Sequence, residues 1–250
     1  MLIEEARWLG AQLDVLDPHD VFPMYNIGSS TEHFRRIEQP YIDECLFKPI
    51  RARRFEVVHV DTKAAKGVDL VGDLTDPDFL RDLRQLEIKS IMCCNLLEHV
   101  TDRRLVCGAL LSMVPHGGYL FVTVPYRFPH HEDPIDTLFR PRIDELAALF
   151  PGTTLQVAEI IRARRAPLEM SDSRWPLFRM IVRACVPFYR PRRWYGVVRG
   201  LYDMAIGHRV TCVVLRKGAE AAVAQRRMRP EFSDAPAARR MDLRISMPPL

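Results

Sequence analysis

The stretch from Ile88 to Val124 reads IKSIMCCNLLEHVTDRRLVCGALLSMVPHGGYLFVTV and decides the fold class. Its opening apolar run, 88–94, has the length and composition of a buried strand. An amphipathic helix is predicted over 101–113, and the turn at 115–118 leads into a second apolar strand, 119–124. Two buried strands joined by a helix of about ten residues need a crossover connection, which predicts parallel neighbours in a sheet covered on both faces.

The same alternation continues on both sides of this stretch. Apolar runs predict further strands at 21–27, 55–60, 68–73, 154–161 and 208–216, and helical spacing or caps predict helices at 2–14, from Glu32, at 77–86 and at 141–150. The sequence therefore predicts an α/β fold: a doubly wound, mostly parallel, Rossmann-like sheet with helices on both faces. Residues 1–217 would form one domain, with an amphipathic helical insertion at 163–207 before the last strand and a flexible tail at 218–250.

The overall composition excludes several classes of protein. Among the 250 residues 48% are hydrophobic, which suffices for a sizeable core, and the formal net charge of +4 is too mild to indicate nucleic-acid binding. No apolar run reaches about 18 residues and the first residues are acidic, so we expect neither a membrane span nor a signal peptide. The six cysteines form no Cys-x-x-Cys pair. We therefore expect reduced thiols, no metal site and a cytoplasmic location.

Polar and small residues follow each of the first four predicted strands. In an open parallel sheet, ligands bind beyond the carboxyl ends of the strands, near the point where strand order reverses. Gly28 lets the backbone pass close to a ligand, and Asp61 can accept hydrogen bonds from the hydroxyl groups of a ribose. Asp73, between Gly72 and Leu74, could hold an adenine edge. Each has a structural alternative, since both aspartates could simply cap their turns.

Four motifs in this order resemble the class I S-adenosylmethionine (SAM)-dependent methyltransferases, in particular the small-molecule methyltransferase-domain group. They are VVHVD (57–61), VDLVGDLTD (68–76), CCNLLEHV (93–100) and VPHGGYLFVTVP (114–125), and the resemblance spans about residues 22–152. It implies SAM as cofactor, with Glu98 and His99 at the edge of the pocket. The implied cofactor contacts are Asn26, Gly28, Ser29, Asp61, Gly72, Asp73, Leu74, Asn95 and Leu96.

The first turn departs from the family pattern of an acid followed by three alternating glycines. Asn26 stands where the acid is expected, and Ser29 and Ser30 follow the single Gly28. The contact with the methionine part of the cofactor is the one affected. The departure keeps open an alternative function, a catalytically weak or inactive SAM-binding scaffold that binds a partner through its arginine-rich insertion.

The loop after the strand at 119–124 supplies candidates for the acceptor side. His130 and His131, together with His99, are the predicted catalytic residues, as general bases or as hydrogen-bonding partners of the substrate. Adjacent histidines in an extended chain do not converge easily on one ion, which disfavours a metal. Arg140 could pair with Asp136 or bind an anionic substrate. His99 could also be a structural histidine that orients its loop.

We therefore predict methyl transfer to a small-molecule or glycan- or lipid-precursor acceptor by in-line displacement. Segment 174–206 could contact anionic lipid headgroups at a membrane surface, or simply pack as helices with solvated arginines. A nicotinamide-dependent reductase is disfavoured, because the chain has neither a Gly-x-Gly-x-x-Gly fingerprint nor a Tyr-x-x-x-Lys pair. A nucleic-acid methyltransferase is disfavoured as well, because no Asn/Asp-Pro-Pro-Tyr motif follows the fourth strand.

Overall fold

The computed structural model describes residues 1–130, 135–163 and 207–218. Within them seven strands form a single sheet. The strands are β1 (Met24–Ile27), β2 (Val57–Asp61), β3 (Leu70–Val71), β4 (Ser90–Cys94), β5 (Tyr119–Arg127), β6 (Thr153–Ala163) and β7 (His208–Lys217).

The helices occupy the connections between these strands. They are α1 (Ile3–Val15), α2 (Pro18–Val21), α3 (Pro40–Ile42), α4 (Lys48–Ala52), α5 (Pro77–Leu83), α6 (Arg103–Met113) and α7 (Ile143–Ala147). Wider π-helical turns at Phe34–Glu38 and Asp43–Phe47 flank α3, and a 3₁₀ turn covers Leu97–His99.

The strands follow the order β3-β2-β1-β4-β5-β7-β6 across the sheet. The pairs from β3 to β5 are parallel, whereas β7 runs antiparallel to both β5 and β6. Compared with the 3-2-1-4-5-6 order of the doubly wound fold, one reversed strand stands between β5 and β6. The predicted doubly wound, mostly parallel α/β fold is confirmed. Most of the predicted insertion and nearly all of the predicted tail lie outside the described residues.

Two apolar cores cover the two faces of the sheet. Successive side chains of a strand point to opposite faces, so Tyr25 and Ile91 join the core that includes residues of α5, α6 and α7, while Met24 and Met92 join the core that includes α1 and residues 34–50. Strands β1 and β4 are mainly apolar for this reason, with Asn26 and Ser90 as their buried polar residues. The polar turns that follow them meet at the carboxyl edge.

Several boundaries differ from the sequence-based prediction: β3 is only Leu70–Val71 and α7 only Ile143–Ala147. Three further differences concern β1, the connection after it and β5. Val21 ends α2, so β1 begins only at Met24.

The helix predicted to start near Glu32 is interrupted at Gln39, where the backbone leaves the helical region just before Pro40. From Pro40 to Ala52 the backbone is helical, with a π-helical turn at Asp43–Phe47 before Pro49, which lacks the N–H that a regular α-helix needs. Strand β5 continues past its predicted end through Pro125, where an irregularity in its pairing with β7 accommodates the proline.

Candidate functional site

The candidate site lies at the carboxyl edge of the sheet, where the order reverses between β1 and β4. Backbone amides of Gly28 and Ser29 both donate to the carbonyl of Val60, at 2.9 and 3.1 Å. On the other side, the amide of Asn95 donates to the carbonyl of Thr123 at 2.9 Å. We call the turns that follow β1, β2, β3 and β4 the cradle. The structure thus brings the predicted residues Gly28, Ser29, Asp61 and Asn95 to one edge.

The turn after β1 depends on its glycine. Gly28 has a φ of +69°, and a Cβ there would lie 3.1 Å from the Leu96 side chain. Leu96 therefore packs directly against the turn backbone. Ser30 also adopts a left-handed conformation, with a φ of 54°, which costs energy for any residue other than glycine. Contacts from neighbouring loops hold it there.

Asp61 provides one of those contacts. Its Oδ2 accepts a hydrogen bond from the Ser30 amide at 2.7 Å, and its Oδ1 accepts one from the Lys63 amide at 3.0 Å. The side chain caps its own turn and also ties β2 to the turn after β1. An ionised carboxylate has about four acceptor positions, so Asp61, which is only half-buried, keeps acceptor capacity for a ligand hydroxyl.

Arg35 is a second contact, and the sequence analysis missed it. The buried guanidinium donates to the carbonyls of Ser29 and Ser30, both at 2.7 Å, and to that of Gly67 at 2.6 Å. Burial lowers the pKa of Arg35 from its ordinary value. In the sequence, Arg35 is one of two adjacent arginines, a pattern typical of a solvated helix face. No local feature therefore indicates that it is buried and bonded to the turn.

Asn26, for which the resemblance implied a cofactor contact, makes a hydrogen bond within the sheet. It is buried, and its Nδ2 donates to Nδ1 of His59 on the neighbouring strand at 3.0 Å. Burial, reinforced by nearby Arg35, lowers the pKa of His59 to about 4, so this ring is neutral at pH 7. One N–H of the Asn26 side chain is thus used for a bond within the sheet and is not available to the methionine part of the cofactor.

The turn after β3 is largely structural. The Phe79 ring fills the position of a Gly72 Cβ, which would lie 2.5 Å from it, so packing requires this glycine. Leu74 is buried in the core rather than displayed for stacking. Asp73 is exposed, and its Oδ1 accepts from the Thr75 amide at 2.8 Å. Of the three, Asp73 is the side chain that remains accessible to a ligand.

The turn after β4 connects to helix α1 through Glu5, another residue that the sequence analysis missed. Glu5 is fully buried, and its Oε1 accepts from Asn95 Nδ2 at 2.8 Å and from Thr123 Oγ1 at 2.6 Å. Its Oε2 accepts from the Leu2 amide at 2.9 Å. A sequence signal does exist: Glu5 stands three residues after Leu2 on the apolar stripe of α1, where an acid is out of place.

Glu98 is the least satisfied polar side chain of the site. It is fully buried, and neither carboxyl oxygen has a hydrogen-bond partner. Burial, reinforced by the nearby Glu5, raises the pKa of Glu98 to about 8. His99 Nδ1 lies 2.6 Å from the Ile135 carbonyl; a carbonyl only accepts, so this nitrogen carries the proton. His99 Nε2 lies 3.7 Å from Glu98 Oε1.

The remaining predicted residues lie on the segment after β5. His130 is exposed, and His131 lies outside the described residues. Arg140 makes two hydrogen bonds to the Asp136 carboxylate, at 3.0 and 2.6 Å, so the structural pairing considered for it is present. In the described part of the chain, no group of three or more His, Cys, Asp or Glu side chains could hold a metal ion. No helix described there is long and apolar enough to cross a membrane.

Solved structures match this chain at the level of the fold, whereas no protein-family model and no curated protein sequence matches it. With a TM-score of 0.52 and 12% identity, 86% of the chain superimposes on 70% of coclaurine N-methyltransferase bound to N-methylheliamine and SAH. Two matches have lower TM-scores. A SAM-dependent methyltransferase from Archaeoglobus fulgidus has a TM-score of 0.42 and 12% identity over 85% of this chain and 94% of that one. The MccD protein has a TM-score of 0.45 and 13% identity over 86% of this chain and 96% of that one. The chain has the fold of the class I SAM-dependent methyltransferases.

Proposed function

We propose that this protein is a SAM-dependent methyltransferase whose acceptor is a small molecule or a glycan or lipid precursor. A fold alone does not establish a function, so the proposal rests on the site. The observation that carries it is the convergence of Gly28, Asp61 and Asn95 at the reversal point of the strand order. Ligands of open α/β sheets bind at this point.

The residues of the cradle fit a nucleoside-containing cofactor. Asp61 would bind the ribose through its remaining acceptor positions, and the exposed Asp73 would face the adenine. The backbone at Gly28 and Asn95, which both have positive φ values (69° and 51°), would surround the rest of the cofactor. When bound, SAM supplies an electrophilic methyl group on a sulfonium.

The chain's own residues would orient the acceptor, exclude water and remove a proton. Methyl transfer to oxygen or nitrogen requires a lone pair, so a proton acceptor near the acceptor atom helps. Glu98 and His99 stand directly after β4, next to the cradle, and His130 follows β5. We assign proton removal to the first two, because the 3₁₀ turn and the Ile135 contact hold them in place. Since burial raises the pKa of Glu98 to about 8, Glu98 takes this role only when a bound cation ionises it.

The test is calorimetric titration of the protein with SAM and with S-adenosylhomocysteine (SAH). We expect micromolar binding of both by the wild type and a loss of at least tenfold in Asp61→Asn, because the amide nitrogen cannot accept a ribose hydroxyl. Asp82→Asn, which removes an exposed aspartate of α5, is the matched control and should bind like the wild type. A folded wild-type protein that binds neither compound contradicts the proposal.

One observation favours the alternative of a non-catalytic SAM-binding protein. Asn26 replaces the expected acid and bonds to His59, which weakens the part of the cradle that would hold the methionine. The alternative predicts SAH binding without SAH production when the protein is incubated with SAM and a mixture of cell metabolites. Formation of SAH that depends on the mixture rejects it.

Compartment and surface contacts belong to the same proposal. We propose a cytoplasmic location, because the six cysteines include no Cys-x-x-Cys pair and show no disulfide pattern. We also propose a small-molecule partner rather than nucleic acid. A peripheral membrane contact through 174–206 is a further part of it. That segment lies outside the described residues.

A further inference from the structure

Two buried carboxyl groups, that of Glu98 in the turn after β4 and that of Glu5 in α1, have no basic side chain hydrogen-bonded to them among the described residues. Glu5 accepts hydrogen bonds from three donors, the Asn95 side-chain amide, the Thr123 hydroxyl and the Leu2 backbone amide. Glu98, three residues after Asn95, has none. Its burial therefore has no compensating bond, which a natural fold normally avoids unless the group has a function.

The nearby positive groups are engaged elsewhere or held at a distance. Arg140 is paired with Asp136 through two hydrogen bonds. His99 donates its Nδ1 proton to Ile135, and its Nε2 lies 3.7 Å from Glu98 Oε1, beyond hydrogen-bond range. Against the effect of burial, the pKa of Glu98 is lowered first by its own backbone amide and less by the charges of Arg140 and the amino terminus. The carboxyl groups of Glu98 and Glu5 thus have no cation hydrogen-bonded to them among the described residues.

We propose that Glu98, supported by Glu5, forms a receptor for an organic ammonium group. An ammonium nitrogen supplies the charge-assisted N–H donors that both Glu98 oxygens lack. It would also cancel the repulsion between the two carboxylates. This inference rests on the proposed function, and it adds the class of ligand group that the turn recognises.

Two ligands of a methyltransferase site can carry such an ammonium group. The ammonium belongs either to an amine acceptor or to the methionine part of the cofactor. For an acceptor amine, the proton would pass from nitrogen to a Glu98 oxygen, leaving the lone pair that methyl transfer needs. A divalent metal is a poorer occupant, since the described residues offer no cluster of three ligating side chains.

The first experiment follows the Glu98 carboxyl carbon by NMR in protein labelled with ¹³C-glutamate, with dimethylammonium chloride as the probe. The signal is assigned by its loss in Glu98→Gln. We expect the probe to move this signal to the ionised position at pH 7 and to lower its titration midpoint by at least one pH unit. Sodium chloride at equal ionic strength should do neither.

Substitutions test whether Glu98 and Glu5 bind the ammonium group and whether that group belongs to the cofactor or to the acceptor. Glu98→Gln should weaken dimethylammonium binding at least tenfold, Glu5→Gln should weaken it as well, and Glu56→Gln, at an exposed site before β2, should not. Thermal unfolding checks that each variant folds. If Glu98→Gln also loses SAH affinity tenfold, the receptor holds the cofactor's ammonium; if SAH binding is unchanged, it holds the acceptor's.

Failure of the receptor and failure of the proposed function give different results. If dimethylammonium acts no differently from sodium and Glu98→Gln binds SAH within twofold of the wild type, the receptor does not exist. If the wild type fails to bind SAH, the proposed function fails, and dimethylammonium binding alone then decides whether the receptor stands.

Discussion

Arg35 connects the two loops that shape the cofactor side of the cradle. Its guanidinium bonds to the carbonyls of Ser29 and Ser30 after β1 and to that of Gly67 before β3. The serines that replace glycines in this turn are therefore held by a side chain rather than by backbone freedom. Such an arrangement fixes the turn before any ligand arrives, which favours binding.

Replacing Arg35 should therefore weaken cofactor binding. We expect Arg35→Gln to lower SAH affinity about tenfold and to lower the midpoint of thermal unfolding, because each buried carbonyl left without a donor costs about 1–3 kcal/mol. Calorimetric titration and thermal unfolding measure the two effects. Arg36→Gln is the control, since Arg36 is exposed and bonds only to acidic side chains. Wild-type SAH affinity in Arg35→Gln would leave Arg35 a purely structural role.

The sequence predicted Asp61 but missed Glu5 and Arg35, for a physical reason. Asp61 ends β2, and position at the end of a strand is a local property that the sequence shows. Glu5 bonds to Asn95, 90 residues away, and Arg35 to Gly67, 32 residues away. Only the folded chain brings these partners together. For Glu5, its place on the apolar stripe of α1 was the available clue.

At the scale of elements, two glycines test how the cradle differs from an ordinary helix. Gly28 is in the left-handed region with Leu96 against it, whereas Gly108, within α6, has open space where a Cβ would lie. We expect Gly28→Ala to lower the free energy of unfolding by about 1–2 kcal/mol. Gly108→Ala should raise it by about 1 kcal/mol, the helix propensity difference. Urea unfolding of both variants tests this, and equal effects would contradict it.

Strands were predicted more accurately than the helices of the β1–β2 connection. Strands β4 and β5 are buried on both faces, so their sequences are continuous apolar runs that composition identifies. Residues 34–52 fold as short α and π turns interrupted by Pro40 and Pro49, and tertiary packing rather than a regular period shapes them. The antiparallel direction of β7 was not predictable either, because it depends on the path of the chain between β6 and β7.

At the scale of the whole molecule, the buried Glu98 and the half-buried His59 give the free energy of unfolding opposite dependences on pH. The folded pKa of Glu98 is raised from 4.5 to about 8, so its contribution is fully present below pH 4.5 and is lost as pH rises to 8. The folded pKa of His59 is lowered from 6.5 to about 4, so its contribution is present above pH 6.5 and is lost as pH falls to 4.

Between about pH 4.5 and 6.5 the contribution of Glu98 falls with pH while that of His59 rises. The free energy of unfolding should therefore reach a plateau at its maximum there. Above pH 6.5 only Glu98 still changes, and at roughly 1.4 kcal/mol per pH unit the wild type should lose about 2 kcal/mol by pH 8. Glu98→Gln removes this loss, so its free energy of unfolding should rise up to pH 6.5 and then stay level. Urea unfolding at pH 5, 6.5 and 8 measures both profiles, with Glu56→Gln as the exposed control. A wild-type protein as stable at pH 8 as at pH 6.5 would mean that Glu98 ionises without cost, and therefore that a cation already compensates it within the fold.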